Sequence, residues 1–135
     1  MVIKNIILGQ PPSKSNCYRI VTIHGHGSLA KTTALKKYEQ KFFEQCRLRD
    51  ANVSNFFELY LDVFFHSNLP DLDNCLKVIL DCLQSCKAIK NDRYCVKIEA
   101  RKFIDKNNPR VEFVLKEVAD VEVVDSKQPT LEFKD

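Results

Sequence analysis

Asn55-Phe56-Phe57-Glu58-Leu59-Tyr60-Leu61-Asp62-Val63-Phe64-Phe65-His66, followed at Pro70 by Asp71-Leu72-Asp73-Asn74-Cys75-Leu76-Lys77, is the most informative run in the chain. Its first half alternates at period two, with Phe57, Leu59, Leu61, Val63 and Phe65 on one side and a mixed set on the other, as in a strand with one buried face. Pro70 breaks the pattern. From Asp71 to Cys86 the apolar residues Leu72, Leu76, Ile79, Leu83 and Cys86 recur at 4-3-4-3 spacing, which predicts a helix with Asp71 at its N-cap.

Working outward, residues 2–8 form an apolar strand ended by Pro11-Pro12-Ser13, and Cys17 to Ile23 form a second strand. His24-Gly25-His26-Gly27-Ser28 reads as a loop. A helix is expected from about Leu29 to Arg49, where Leu35, Tyr38, Phe42 and Cys46 make one apolar stripe. A strand from Tyr94 and another from Arg110 to Lys116 flank the turn Asp105-Lys106-Asn107-Asn108-Pro109, which suggests a hairpin. The expected order is β-β-α-β-α-β-β, a small mixed α/β (α+β) domain with a mixed sheet and two helices over residues 1–117. Residues 118–135 form an acidic tail.

The 135 residues allow one domain, and a composition 44% hydrophobic with only 3 Gly and 5 Pro excludes collagen-like and wholly disordered readings. The formal charge of +3 divides unevenly. Residues 1–117 hold 19 Lys+Arg against 13 Asp+Glu, so +6, and the tail holds 2 against 5, so −3. A basic body suits a polyanionic partner without requiring one. No apolar run of about 18 residues is present, so no membrane span is expected, and the N-terminus lacks a signal-peptide core. A cytoplasmic setting with six reduced, mostly buried cysteines follows as the expectation. Cys82 and Cys86, or His24 and His26, lack the second pair that a zinc site needs.

The densest polar group is Asp71, Asp73, Asn74 and Lys77, with Asp92 further on. Asp73 and Lys77 share a helix face at i and i+4, and Asp92 precedes a strand from which a loop acid can reach the helix mouth. Three carboxylates and a lysine suit phosphodiester cleavage: hard oxygen ligands fit Mg²⁺, and the ammonium can offset charge on the phosphate. The plain structural reading is a helix cap, a favourable first-turn acid and a surface ion pair.

Pro11-Pro12-Ser13 with Asn16 and Tyr18, then Asp71-Leu72-Asp73-Asn74 with Lys77, then Asp92, resembles the RusA family of Holliday-junction resolvases, small nucleases typical of phages and prophages. The resemblance implies a homodimer that nicks opposed strands of a four-way DNA junction with Mg²⁺, or Mn²⁺, as cofactor, in a bacterial or phage-infected cell. It implies that Asp71, Asp73 and Asp92 hold the metal and that Lys77 is needed for cleavage. Asn91 stands where the family commonly has an acid, which keeps a junction-binding module without catalysis as the alternative.

Asn16, Tyr18, Arg19, His24, His26, Lys31 and Asn74 are candidate DNA contacts. His24-Gly25-His26-Gly27-Ser28-Leu29-Ala30-Lys31-Thr32 also approximates a phosphate-binding P-loop, with Ala30 in place of its last Gly and Asp62 as a magnesium-holding candidate, so an NTPase is the third reading. Glu58, Asp62 and His66 share one strand face leading towards Asp71; it could extend the acidic cluster, and is better suited to a dimer surface or to cover by the helices. In the tail, Gln128, Leu131 and Phe133 have the spacing of peptides that dock on bacterial sliding clamps.

Overall fold

A computed structural model describes residues 3–125. The alternating stretch becomes β4 (Phe57–Phe65), whose residues alternate strictly between buried and half-buried. It lies inside a four-stranded sheet in the order β1-β6-β4-β5, formed with β1 (Asn5–Leu8), β5 (Cys95–Ile104) and β6 (Arg110–Glu117). β4 runs parallel to β5 and antiparallel to β6, and β6 is antiparallel to β1. The sheet is therefore mixed, as expected.

Parallel neighbours need a crossover, and α2 (Leu72–Ser85) supplies it between β4 and β5. α1 (Thr33–Gln45) enters the same core with Leu35, Tyr38 and Phe42, and the expected stripe ends in buried Cys46. Phe42 stacks on Phe113 of β6 at 5.8 Å between ring centres. Such a pair adds roughly 0.5–1.5 kcal/mol beyond its buried area. Asn5 is the buried polar residue of this core among the described residues, and its side-chain Oδ1 accepts the backbone amide of Arg47 at 2.7 Å, securing the chain after α1 to β1.

Two local expectations are corrected. The segment read as a loop running into a helix at Leu29 is a strand, β3 (His26–Lys31), paired antiparallel with β2 (Tyr18–Ile23) from Tyr18↔Lys31 to Ile23↔His26. His24 and Gly25, at φ 52° and 78°, form the two-residue turn, since a hairpin turn matching strand twist needs both centres at positive φ. Thr32 then caps α1, accepting the Leu35 amide on its hydroxyl at 3.2 Å. This overturns the P-loop reading, because Lys31 ends a strand rather than a phosphate loop. The expected β5–β6 hairpin is also absent: both strands pair with β4, which lies between them. Local turn preference yields to burial of the most apolar strand at the sheet centre.

Cys17, Cys46, Cys75, Cys82 and Cys86 are free and buried, and Cys95 is half-buried. No described helix is long and apolar enough to cross a membrane. Gln128, Leu131 and Phe133 lie outside the described residues.

Burial pushes the Cys75 thiol up to about 11 and raises Cys17 and Cys82 as well. The native chain thus keeps protons that the unfolded chain releases near pH 8.5, so stability declines as pH rises through and beyond that value. Thermal unfolding should show a midpoint that falls above about pH 8.5. Alanine at Cys75 and Cys82 should flatten that slope, and an unchanged slope would contradict the assignment.

Candidate active site

α2 begins where β4 ends. After Phe65 the chain turns through residues 66–70, and Lys102 of β5 fastens this turn by donating to the carbonyls of Pro70 at 2.7 Å and Asn68 at 3.1 Å. Asp71 occupies the N-cap position, yet its side chain makes no capping bond. Among the described residues its carboxylate accepts only a long contact, 3.4 Å, from the Asn74 side-chain amide. Asp73 is exposed in the first turn and makes no hydrogen bond or ion pair among the described residues. The plain structural reading holds in part: Asp73 is the first-turn acid it expected, but Asp71 does not cap the helix and Lys77 pairs with Asp92 and Asp81 instead of Asp73.

Lys77 reaches Asp92 and Asp81 at 2.9 Å each. These carboxylates, Asp92 foremost, hold its ammonium well above the usual lysine range. The pairs are largely exposed, so they fix position more than they stabilise the fold. An ammonium has three donors, and two are occupied here. Asp92 opens a short 3-10 turn, Asp92–Tyr94, with its backbone amide donating to Gln84 of α2 at 3.1 Å. Asn91 caps that turn by accepting the Arg93 amide at 3.0 Å, so the residue that departs from an acid has a structural task.

A cleft of about 640 Å³ separates α2 from the base of the β2–β3 ribbon and is lined by Asn74, Lys77, Asp81, Tyr18, Lys31 and Glu39. Lys31 is paired with Glu39 at 2.9 Å. Asn74 also borders a smaller hollow containing Pro11, Pro12, Ser13 and Asp71. Asn16 lies beyond it, in a third cleft with Lys37 and Lys41. Of the expected DNA contacts, Tyr18, Lys31 and Asn74 thus gather beside Lys77. Arg19 is on the opposite ribbon face, and His24 and His26 are at the ribbon tip.

Asp62 is held by Arg101 in a two-pronged pair at 2.8 and 2.9 Å, and Glu58 accepts from the Tyr60 hydroxyl. His66 contacts Gln10. These strand-face groups do not join the carboxylates of α2, and no group of three or more His, Cys, Asp or Glu is arranged to hold a metal among the described residues. The donors nevertheless suit a hard cation in kind. Among the described residues neither Asp71 nor Asp73 is in an ion pair, and Asp92 already faces a positive charge, that of Lys77.

A family model described as endodeoxyribonuclease RusA matches residues 28–116, from β3 to β6, including Asp71, Asp73, Lys77 and Asp92. The chain belongs to the RusA family. No curated protein matches it. Membership makes it an endodeoxyribonuclease that hydrolyses phosphodiester bonds, of the family that resolves Holliday junctions. The match begins after Pro11-Pro12-Ser13, Asn16 and Tyr18, so it does not extend to that part of the resemblance.

Sequence reasoning missed Asp81, Gln84 and Lys102. Asp81 was detectable as an i+4 acid after Lys77. Gln84 and Lys102 act through tertiary contacts that no local spacing reveals. Because Lys102 anchors the turn ahead of Asp71, Lys102→Met should lower DNA cleavage by about tenfold if Asp71 is a site residue, the scale typical of losing a supporting contact. The thermal midpoint should hardly move, and Lys102→Arg should restore most of the rate. Undiminished cleavage in Lys102→Met would remove the positioning role.

Proposed function

We propose that this RusA-family nuclease is a Mg²⁺-dependent resolvase of four-way DNA junctions, with Asp71, Asp73 and Asp92 as the metal-holding set and Lys77 as the transition-state cation. The observation that carries this reading is the mouth of α2, where Asp71, which makes no capping bond, and Asp73, which makes no ion pair among the described residues, stand beside the helix that presents a charge-fixed lysine. A bound Mg²⁺ or Mn²⁺ supplies a more acidic water and compensation for charge at the phosphate oxygens. Lys77 keeps two donors on Asp92 and Asp81 and offers the third to a non-bridging oxygen. Asn74, between two clefts, is suited to donate to the phosphate next to the scissile one.

Tyr18 and Lys31 on the cleft wall, Arg19, His24 and His26 along the ribbon, and Asn16 with Lys37 and Lys41 are proposed to follow the DNA backbone. Contacts of that kind give affinity that weakens with salt and carries little sequence preference. Paired nicks in opposed strands call for two sites, which a twofold homodimer provides on a twofold substrate.

A synthetic mobile junction, incubated with and without Mg²⁺ beside Asp73→Asn, tests this. Symmetric nicks are expected only with Mg²⁺ and wild-type protein, while the variant still shifts the junction in a gel. Binding without nicking by the wild type would instead support a junction-binding module. Absence of both would overturn the proposal.

A further inference from the structure

The β2–β3 ribbon has no partner on its open face. Ile20 and Leu29, directly opposite one another, are 79% and 70% exposed. A lone two-stranded ribbon is marginal in water, and an apolar cross-strand pair left open on it needs an occupant. Side chains alternate along a strand, so Ile20 and Leu29 lie on the same ribbon face as Tyr18 and Lys31, one step farther from the base. Tyr18 and Lys31 line the cleft with Lys77. The apolar pair therefore overhangs the candidate active site.

Charge selects the occupant. Residues 18–31 of the ribbon hold Arg19 and Lys31, with His24 and His26 at the tip, and no Asp or Glu; Lys31, on the face of the apolar pair, is matched by Glu39 of α1, and Arg19 is on the other face. A ribbon with cations along it and no acid of its own attracts a polyanion. Double-stranded β-ribbons enter DNA grooves, and apolar side chains wedge between bases that are already weakly stacked. A branch point offers such bases next to a phosphate backbone.

We propose that the Ile20–Leu29 pair is an apolar wedge that inserts at the branch point of the DNA, while the basic flanks of the ribbon hold the adjoining phosphates. This rests on reading the site as a junction nuclease. It adds a source of structure selectivity, because linear duplex offers no unstacked step for the wedge.

The test compares wild type, Ile20→Thr/Leu29→Thr and Ile20→Phe/Leu29→Phe. Threonine keeps the strand preference while removing most apolar surface, and phenylalanine keeps the surface. The probes are a four-way junction carrying 2-aminopurine at the exchange point and a linear duplex of equal length. Wild type and the Phe variant should raise the fluorescence, and the Thr variant should lose the rise and bind the junction about tenfold more weakly, with duplex affinity within about twofold. Wild-type junction binding and fluorescence in the Thr variant would overturn the wedge. So would a fall in its mass by light scattering, which would assign the ribbon to a second copy of the chain. Nicking of the same junction by wild-type protein reads the nuclease assignment separately, so either idea can fail without the other.

Discussion

Burial of alternate β4 side chains beneath the two helices governs where everything else can go. Phe57, Leu59, Leu61, Val63 and Phe65 lose nearly all their exposure, and each large side chain of this kind contributes roughly 1.5–3 kcal/mol on leaving water. The strand is kept in the sheet centre by ladders on both edges, parallel to β5 and antiparallel to β6. A parallel neighbour requires a crossover, and a crossover starting at Phe65 puts the N-terminus of α2 at the sheet margin. Asp71 and Asp73 reach solvent there because the same helix buries Cys75, Val78, Ile79, Cys82 and Leu83 on its other side. The site is a consequence of that amphipathic division.

The polar framework around α2 then sets which charges meet. Asp92 is brought to Lys77 by a short turn that Asn91 caps and Gln84 holds. Asp81 comes from the next turn of the same helix. On the far side, Lys102 fixes the carbonyls just ahead of Asp71. An ammonium between two carboxylates is a cation already lodged among acids, which is the electrostatic environment that a hard metal or a phosphate-bound cation also requires. Membership in the RusA family agrees with that environment: the matched segment contains all four proposed catalytic residues.

Much of this was legible because two periodicities were clean. The twofold alternation of β4 corresponds to a fully buried face, whereas the 4-3 stripe of α2 is buried at Ile79, Leu83 and Cys86 and half-buried at Leu72 and Leu76, with Cys75, Val78 and Cys82 completing the buried side. The ribbon was less legible. Leu29, Ala30 and Lys31 favour a helix by propensity, and only Thr32, the true cap, marks where α1 begins. The position of β6 was hidden for a different reason. The turn at residues 105–109 is short enough for a hairpin, but the strand that buries most apolar area takes both neighbours. Lys77 with Asp92 could be anticipated from family resemblance, while Asp81, Gln84 and Lys102 depend on contacts visible only in three dimensions.

The central claim is that the mouth of α2 is a metal-dependent nuclease centre. Anomalous diffraction from crystals of the protein containing Mn²⁺ examines it most directly. The account predicts an anomalous peak within coordination distance of Asp71 and Asp73 with Asp92 as a further ligand. Mn²⁺ bound elsewhere on the chain, with the carboxylates of α2 bare, would contradict it.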